Sequence, residues 1–482
     1  MKTEVVFLRS LSEALAIVLL GAIGLWLYIQ LVLFLSRGMT WNGGSGLLAA
    51  GLVGAGVLLV VWVARKPEMG LYLFVLTFPL TNESFELPYV TVSLPNVLLV
   101  TMALGLLARR ILGRPQERTS NPVFWPKFAL LSWLVLATGV SALLMPQTDA
   151  TLRFLITRAG YALTFLVILT VIDDTKRLKT VLRLMAWSAG GTAIVTILGG
   201  LFPFTFPIEV VRCNEPILPV LNTYRCTAFN LSFHAMGSWL LAGLPAILFS
   251  VKYPKLLGLP RKAALALAAL CGLALVIGRV RGAWVALLVS LLVMALFAAR
   301  PKKGSGLARF CYVGGALILG VALACVIWIL AIAPIVSLSP DSFFARLESY
   351  KVAFSLFQQH WLFGLGPLDE RFLALDTVGY GVIDNLFIAE IGATGLLGAI
   401  PFLLLWAGAF RSLIKIMEGT ADSELRQLAT ILAVGVLFLL VAVQAYVAIG
   451  EKTPWILMGL AASLARIQRT RPAVLPTTQP VT

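Results

Sequence analysis

The chain alternates long apolar runs with short polar connections, and the pattern recurs from Leu11 to Leu464. Up to 14 such runs can be drawn, at approximately residues 11–35, 45–64, 69–82, 94–108, 127–145, 152–172, 181–202, 234–251, 262–279, 281–299, 307–336, 384–410, 427–448 and 453–466. A helix needs about 20 consecutive apolar residues to cross the hydrocarbon core of a bilayer. The pattern therefore predicts an all-α polytopic membrane protein with about 12–14 transmembrane helices. The third, fourth and last runs are short enough to be interfacial or re-entrant, which sets the lower count. The first run is too long for a signal-peptide core and lacks a clean small-residue cleavage site, so it reads as a retained helix.

Composition agrees. Hydrophobic residues fill 59% of 482 positions and charged residues only 12%, against about 25% charged in soluble domains. The net charge of +16 would suggest nucleic acid in a soluble protein. Here the basic residues sit in short loops between apolar runs, with no aromatic-interleaved basic tract, so no nucleic-acid partner is expected. Placing both termini in the cytoplasm and crossing at every run puts 27 of the 38 Lys and Arg residues inside, as the positive-inside rule requires. The chain then reads as a multi-pass inner-membrane protein. Five cysteines are too few for a disulfide framework and lack zinc-site spacing. Cys213 and Cys226 share one polar stretch. If it is extracytoplasmic they can form a disulfide; two free thiols fit the sequence equally.

Two polar stretches are long, at about residues 202–233 and 336–383, and both fall outside. Residues 1–468 form a single integral membrane domain, and the Pro/Thr-rich tail from Arg469 to Thr482 reads as disordered and cytoplasmic. Irregular sequence concentrated on one face predicts that the protein works there. Within the second stretch, Phe343, Phe344, Leu347, Tyr350, Phe354 and Phe357 recur near helical spacing, so residues 341–360 predict an amphipathic helix ending before Gly364.

There is no P-loop, dinucleotide fingerprint or zinc-type cluster, so neither cofactor nor metal is expected. The informative residues are the outer arginines, which run against the topological bias: Arg153, Arg158, Arg212, Arg225, Arg279, Arg281, Arg346 and Arg371 among them. Arg279 and Arg281 fall where two long apolar runs meet. A guanidinium there is costly without an anionic partner, and arginine suits bidentate phosphate binding. One reading is a basic pocket for a lipid pyrophosphate headgroup; the other is arginines at helix ends snorkelling to lipid phosphates. Asp384-Asn385 opens a long apolar run containing Gly392, Gly395 and Gly398. Asp384 reads either as a helix N-cap above a close-packing glycine face, or as a general base or orienting carboxylate at the membrane boundary. Glu390, inside that run, is a functional candidate or the partner of an outer arginine. His234 and His360 read as structural or as orienting substrate hydroxyls.

Four of these stretches together resemble the O-antigen polymerase and O-antigen ligase superfamily of bacterial envelope proteins, over roughly residues 225–400. Arg225-Cys226-Thr227-Ala228-Phe229 resembles the family's Arg-x-x-Gly-x-Phe stretch, with Ala228 replacing Gly and Phe229 one position early. Val280-Arg281-Gly282-Ala283 resembles its Ser-Arg-Gly-Ala segment, with Val280 replacing Ser. Arg346 and Tyr350, then His360-Trp361-Leu362-Phe363-Gly364-Leu365-Gly366, resemble its amphipathic helix and His-Pro-x-x-Gly-x-Gly turn, with Trp361 replacing Pro. Asp384-Asn385, nine residues, then Gly395-Leu396-Leu397-Gly398 has the spacing of the ligase signature, which begins with His.

The resemblance implies a type C glycosyltransferase-like fold working on the periplasmic face without a metal. The implied donor is undecaprenyl-pyrophosphate-linked glycan, and the acceptor hydroxyl attacks the anomeric carbon with inversion. Arg281 matches the key family arginine; Arg225 and Arg346 match lesser ones. Arg158 and Arg279 join them on electrostatic grounds, and Asn385, His234 and His360 as substrate-facing candidates. Aspartate at position 384, where ligases have histidine, favours a polymerase that joins lipid-linked repeat units. A ligase transferring glycan to lipid A–core is the alternative. Polymerases of this kind often depend on a chain-length regulator, though no sequence feature shows that contact. A lipid-linked glycan flippase is the reading from another class; against it stand the sparse mid-membrane charge and the absence of an inverted repeat.

Overall fold

The computed structural model describes residues 44–79, 84–86, 91–111, 124–134, 139, 148–202, 211–218, 223–228, 233–278, 280, 282–288, 350–351, 354–355, 357–364, 385–442 and 452–470. The expected runs at 11–35 and 307–336 and residues 471–482 of the tail lie outside them, as do Arg279, Arg281, Arg346, Arg371 and Asp384; Arg469 and Thr470, expected in the disordered tail, instead end a helix.

In chain order the helices are α1 (Gly44–Arg65), α2 (Pro67–Thr77), α3 (Leu94–Ile111), α4 (Phe124–Ser132), α5 (Thr148–Val171), α6 (Thr175–Leu201), α7 (Phe233–Lys252), α8 (Pro254–Leu257), α9 (Arg261–Ile277), α10 (282–288), α11 (Leu386–Gly419), α12 (Ser423–Ala442) and α13 (Thr453–Thr470). Among the described residues six helices are long and apolar enough to cross a bilayer, within α3, α5, α6, α7, α11 and α12. The protein is an all-α polytopic membrane protein.

Two helix groups share one apolar core. Helices α6, α7 and α9 pack on one another, while α5, α11, α12 and α13 form the second group. Helix α12 joins the groups through α7, and α2 brings α1 and α3 onto α6. Small residues permit the close approaches: a Cβ on Gly243 of α7 would meet Ala189 of α6 at 2.7 Å, and one on Gly459 of α13 would meet Ile168 of α5 at 3.1 Å.

The alternating helices sort the charges. The described basic residues near Arg65, Arg109, Arg177, Lys252, Arg426 and Arg466 lie at one end of the bundle. They are held by local partners. Arg177 pairs with Asp173 at 2.7 Å, Lys179 with Glu424 at 3.3 Å, and Arg466 donates to the Ile172 carbonyl at 2.5 Å. Asp174 caps α6 by accepting from the Arg177 N–H at 2.7 Å.

The opposite end carries structure that the sequence left as irregular loop. Strands β1 (Ser84–Glu86) and β2 (Thr91–Ser93) form a short hairpin. Strands β3 (Val211–Leu218) and β4 (Thr223–Ala228) form a second hairpin between α6 and α7. Their β-branched and aromatic positions favour strands. Cys213 and Cys226 face each other in the register of β3 and β4 and are joined as a disulfide, which resolves the two alternatives left open above. Disulfides persist in oxidising compartments, so the bond supports an extracytoplasmic hairpin.

Candidate functional site

A buried polar cluster lies beneath the hairpin end, where α5, α11 and α13 all begin. Helix α11 starts here because Asn385 caps it: its Oδ1 accepts from the Phe387 and Ile388 N–H groups at 3.0 and 3.1 Å. The cap is thus Asn385, not Asp384; the extended backbone at Asn385 places its amide over the first helical N–H groups. Tyr350, from the second long polar stretch, packs on Ala389 in the first turns of α11.

About one turn deeper is Glu390, only 2% exposed. Arg158 of α5, also 2% exposed, reaches it with a single nitrogen. Its Nη1 lies 2.6 Å from Oε1 and 2.5 Å from Oε2. The Trp133 indole N–H donates to Oε1 at 2.8 Å, and the Thr394 hydroxyl lies 3.1 Å from the same oxygen. The guanidinium sits over the rings of Trp133 and Phe154, at 4.9 and 4.7 Å from their centroids. Among the described residues, Arg158 Nη2 has no hydrogen-bond partner.

A small pocket opens beside this pair, lined by Trp133, Arg158, Tyr161, Leu386, Glu390 and Trp455, with Phe402 and Pro454 completing it. Its aromatic wall is continuous: Trp133 and Trp455 are 4.7 Å apart, and Tyr161 stacks on Trp455 at 5.7 Å. Lys452, just before α13, is half-buried and donates to the Asn96 side-chain oxygen. Burial pushes its ammonium down to about 8.

Helix α11 is broken at Gly395, where the backbone has φ 59° and ψ −163°. The turn after His360 fills the break. The Leu396 and Leu397 N–H groups, which would bond within an unbroken helix, donate to the Trp361 and Leu362 carbonyls at 2.9 and 3.2 Å. Gly364, itself at φ 70°, lies so close that a Cβ there would meet Ala393 and Thr394 backbone at 2.5 Å. The expected close-packing helix face is therefore a backbone joint in which two glycines interlock. The reason is that no side chain fits at either position. Thr394 bonds back to the Glu390 carbonyl at 2.7 Å, so the joint and the ion pair are adjacent.

With this geometry in place, comparison with known proteins is informative. Residues 266–403 match the family model described as O-antigen ligase. The match supports the O-antigen ligase/polymerase superfamily, whose members are glycosyltransferase-like enzymes. It covers less than a third of the chain, running through α9 and α10 to the second half of α11. No curated protein matches the chain.

The matched segment contains Arg279, Arg281, Arg346, His360, Asp384, Asn385 and Glu390. It does not contain Arg158, Trp133, Tyr161 or Trp455; the fold brings them to it. Arg158 meets Glu390 of the broken helix. Arg225 lies in β4, three residues before its end. His234, second in α7, is half-buried and is not among the residues lining the pocket. His360 is half-buried, and its backbone carbonyl accepts from the Gly364 N–H at 2.8 Å. Arg281 itself is outside the described residues, but its neighbours are fixed. Val280 and Ala283 are buried, and the Trp284 indole donates to the Leu275 carbonyl at 2.9 Å. Among the described residues no group of three metal-binding side chains occurs. Trp133, Tyr161, Trp455 and Thr394 drew no attention in the sequence, since aromatics and a lone threonine within apolar runs carry no signal of a shared site.

Proposed function

We propose that the protein is a membrane glycosyltransferase that acts on undecaprenyl-pyrophosphate-linked glycan at the periplasmic face, joining lipid-linked repeat units as a polymerase. The observation that carries this reading is the O-antigen ligase match, which spans Arg281, Asp384-Asn385 and the helix break at Gly395. The acceptor hydroxyl attacks the anomeric carbon as the bond from that carbon to the pyrophosphate oxygen breaks. Undecaprenyl pyrophosphate leaves, and Asp384 takes the proton from the attacking hydroxyl. Arg281, with Arg225, Arg279 and Arg346, offsets the negative charge that builds on the leaving group. The step as written uses no metal and inverts the anomeric centre. Asn385 holds the mouth of α11 in place, and His234 and His360 orient hydroxyls of the glycan.

The disulfide-bonded hairpin and the basic residues at the opposite end support a periplasmic site with both termini in the cytoplasm. Bilayer lipid surrounds the bundle, and a chain-length regulator is the expected protein partner. The family description favours the second reading, a ligase that transfers glycan to lipid A–core. Aspartate at position 384 favours the polymerase.

A two-acceptor assay separates them. Purified protein in lipid receives an undecaprenyl-pyrophosphate glycan donor, with either the same lipid-linked unit or lipid A–core as acceptor. A ladder of lengthened lipid-linked glycan supports the polymerase, and glycan on lipid A–core supports the ligase. Transfer to neither, by folded protein, removes the transferase reading and leaves transport. Arg281→Ala is expected to abolish transfer while membrane insertion persists; full activity would remove Arg281 from the pyrophosphate site.

A further inference from the structure

The pocket beside Arg158 and Glu390 has a chemistry different from that of the outer arginines. Arg158 is not a free cation: Glu390 balances its charge at 2.5 Å, both side chains being almost wholly buried. Glu390 also accepts from the Trp133 indole N–H at 2.8 Å and from the Thr394 hydroxyl at 3.1 Å. A phosphate oxygen brought to Arg158 would approach that carboxylate in a medium of low dielectric, where like charges repel strongly. A neutral oxygen meets no such cost. Arg158 uses only Nη1 on Glu390, where a guanidinium ordinarily presents two parallel donors to a carboxylate. Its Nη2 remains buried without a partner among the described residues. An unpaired buried donor of this kind is costly and calls for an oxygen to receive it. The remaining walls are the aromatic side chains of Trp133, Tyr161 and Trp455, which offer apolar faces to the C–H surface of a sugar.

We infer that this pocket is a subsite for a neutral hydroxyl group of a sugar at the reacting junction. Arg158 Nη2 donates to the hydroxyl oxygen, and Glu390 keeps Arg158 oriented and charge-balanced so that the subsite selects a hydroxyl over a phosphate. The subsite lies beneath the first turns of α11 and α13, since Leu386 and Pro454 form its rim. That places it next to Asp384-Asn385 in the chain. The inference rests on the transferase reading above. It assigns Arg158 to glycan selection rather than to the pyrophosphate.

The test pairs a protein change with a substrate change in full-length protein reconstituted in lipid. Arg158→Lys keeps a cation for Glu390 and removes the second arm. Donors and acceptors are prepared with each ring hydroxyl of the two sugars flanking the new linkage replaced in turn by hydrogen. With wild-type protein, one deoxy compound is expected to lose about 10- to 100-fold in kcat/KM, as for loss of a hydrogen bond to a charged group. Arg158→Lys is expected to lose a similar factor on the normal substrate and nothing further on that deoxy compound. Inorganic pyrophosphate should inhibit both proteins equally.

Wild-type protein that transfers glycan yet tolerates every deoxy compound would overturn the subsite and leave the transferase reading intact, the pocket then holding only water. Weaker pyrophosphate inhibition of Arg158→Lys would overturn it in favour of a phosphate site. If Arg158→Lys does not fold, the deoxy series on wild-type protein alone decides. No transfer by folded wild-type protein to either acceptor marks failure of the transferase reading instead.

Discussion

The joint at Gly395 yields a sharp prediction. Replacing Gly395 with Ala forces a side chain into a backbone conformation that is essentially glycine-only, with φ 59° and ψ −163°, at a cost of about 1–3 kcal/mol. The new Cβ would also press on the Leu362 carbonyl and come within 2.6 Å of the Gly364 nitrogen, both backbone atoms that cannot rotate away. Relief requires the turn to move out, which breaks the bonds from Leu396 and Leu397 to Trp361 and Leu362. Each is worth about 1 kcal/mol net. Together the substitution should destabilise by about 3–5 kcal/mol. Gly191→Ala is the matched control, because a Cβ there meets nothing within 4 Å on a helical backbone. It should be neutral or stabilising by up to about 1 kcal/mol. Detergent-solubilised membrane proteins often unfold irreversibly, so the comparison is of tryptophan-fluorescence midpoints at one heating rate. Gly395→Ala should melt several degrees below wild type and lose glycan transfer, while Gly191→Ala should do neither. A Gly395→Ala protein that melts with wild type would refute the joint as a stabilising element.

Three further outcomes are expected. Arg158→Met leaves Glu390 buried without its cation and should cost about 3–5 kcal/mol, whereas Arg158→Met with Glu390→Gln should recover much of that loss; equal melting of the single and double variants would show that the two residues do not interact. Lys452 lies outside the spanning helices, and its ammonium is lowered from 10.5 to about 8. The unfolded chain therefore binds more protons than the folded one between those values, so stability should rise as pH increases from about 8 toward 10.5. Lys452→Met should flatten that rise in the thermal midpoint. Cys213 and Cys226 should resist maleimide in denaturant until reductant is added, and should react freely when the protein is made in cells lacking periplasmic thiol oxidation. Ready labelling from oxidising cells would contradict the extracytoplasmic hairpin.

By itself the sequence determined that this is a helical membrane protein, which way its charges are distributed and which segments carry the family's motifs. These are local properties. A span is legible because every backbone polar group must be satisfied within its own helix, so length and apolarity suffice. Basic loops are legible because charge bias acts loop by loop. The tertiary structure decided the site. Trp133 at the end of α4, Arg158 of α5 and Glu390 of α11 are separated by up to 257 positions and meet only when α4 packs on α11 and α13 packs on both α5 and α11. Glu390 was visible as a carboxylate in an apolar run, but the identity of its arginine depended on which helices are neighbours. Gly395 looked like part of a small-residue helix face, because glycine spacing is the same for packing and for a break. Only the approach of the Gly364 turn, with carbonyls ready for the freed N–H groups, made a break affordable inside a bundle that excludes water. The disulfide was likewise undecided until pairing of β3 with β4 set Cys213 opposite Cys226. Contacts made across the bundle depend on the packing of all the helices together, and no window of the sequence contains that information.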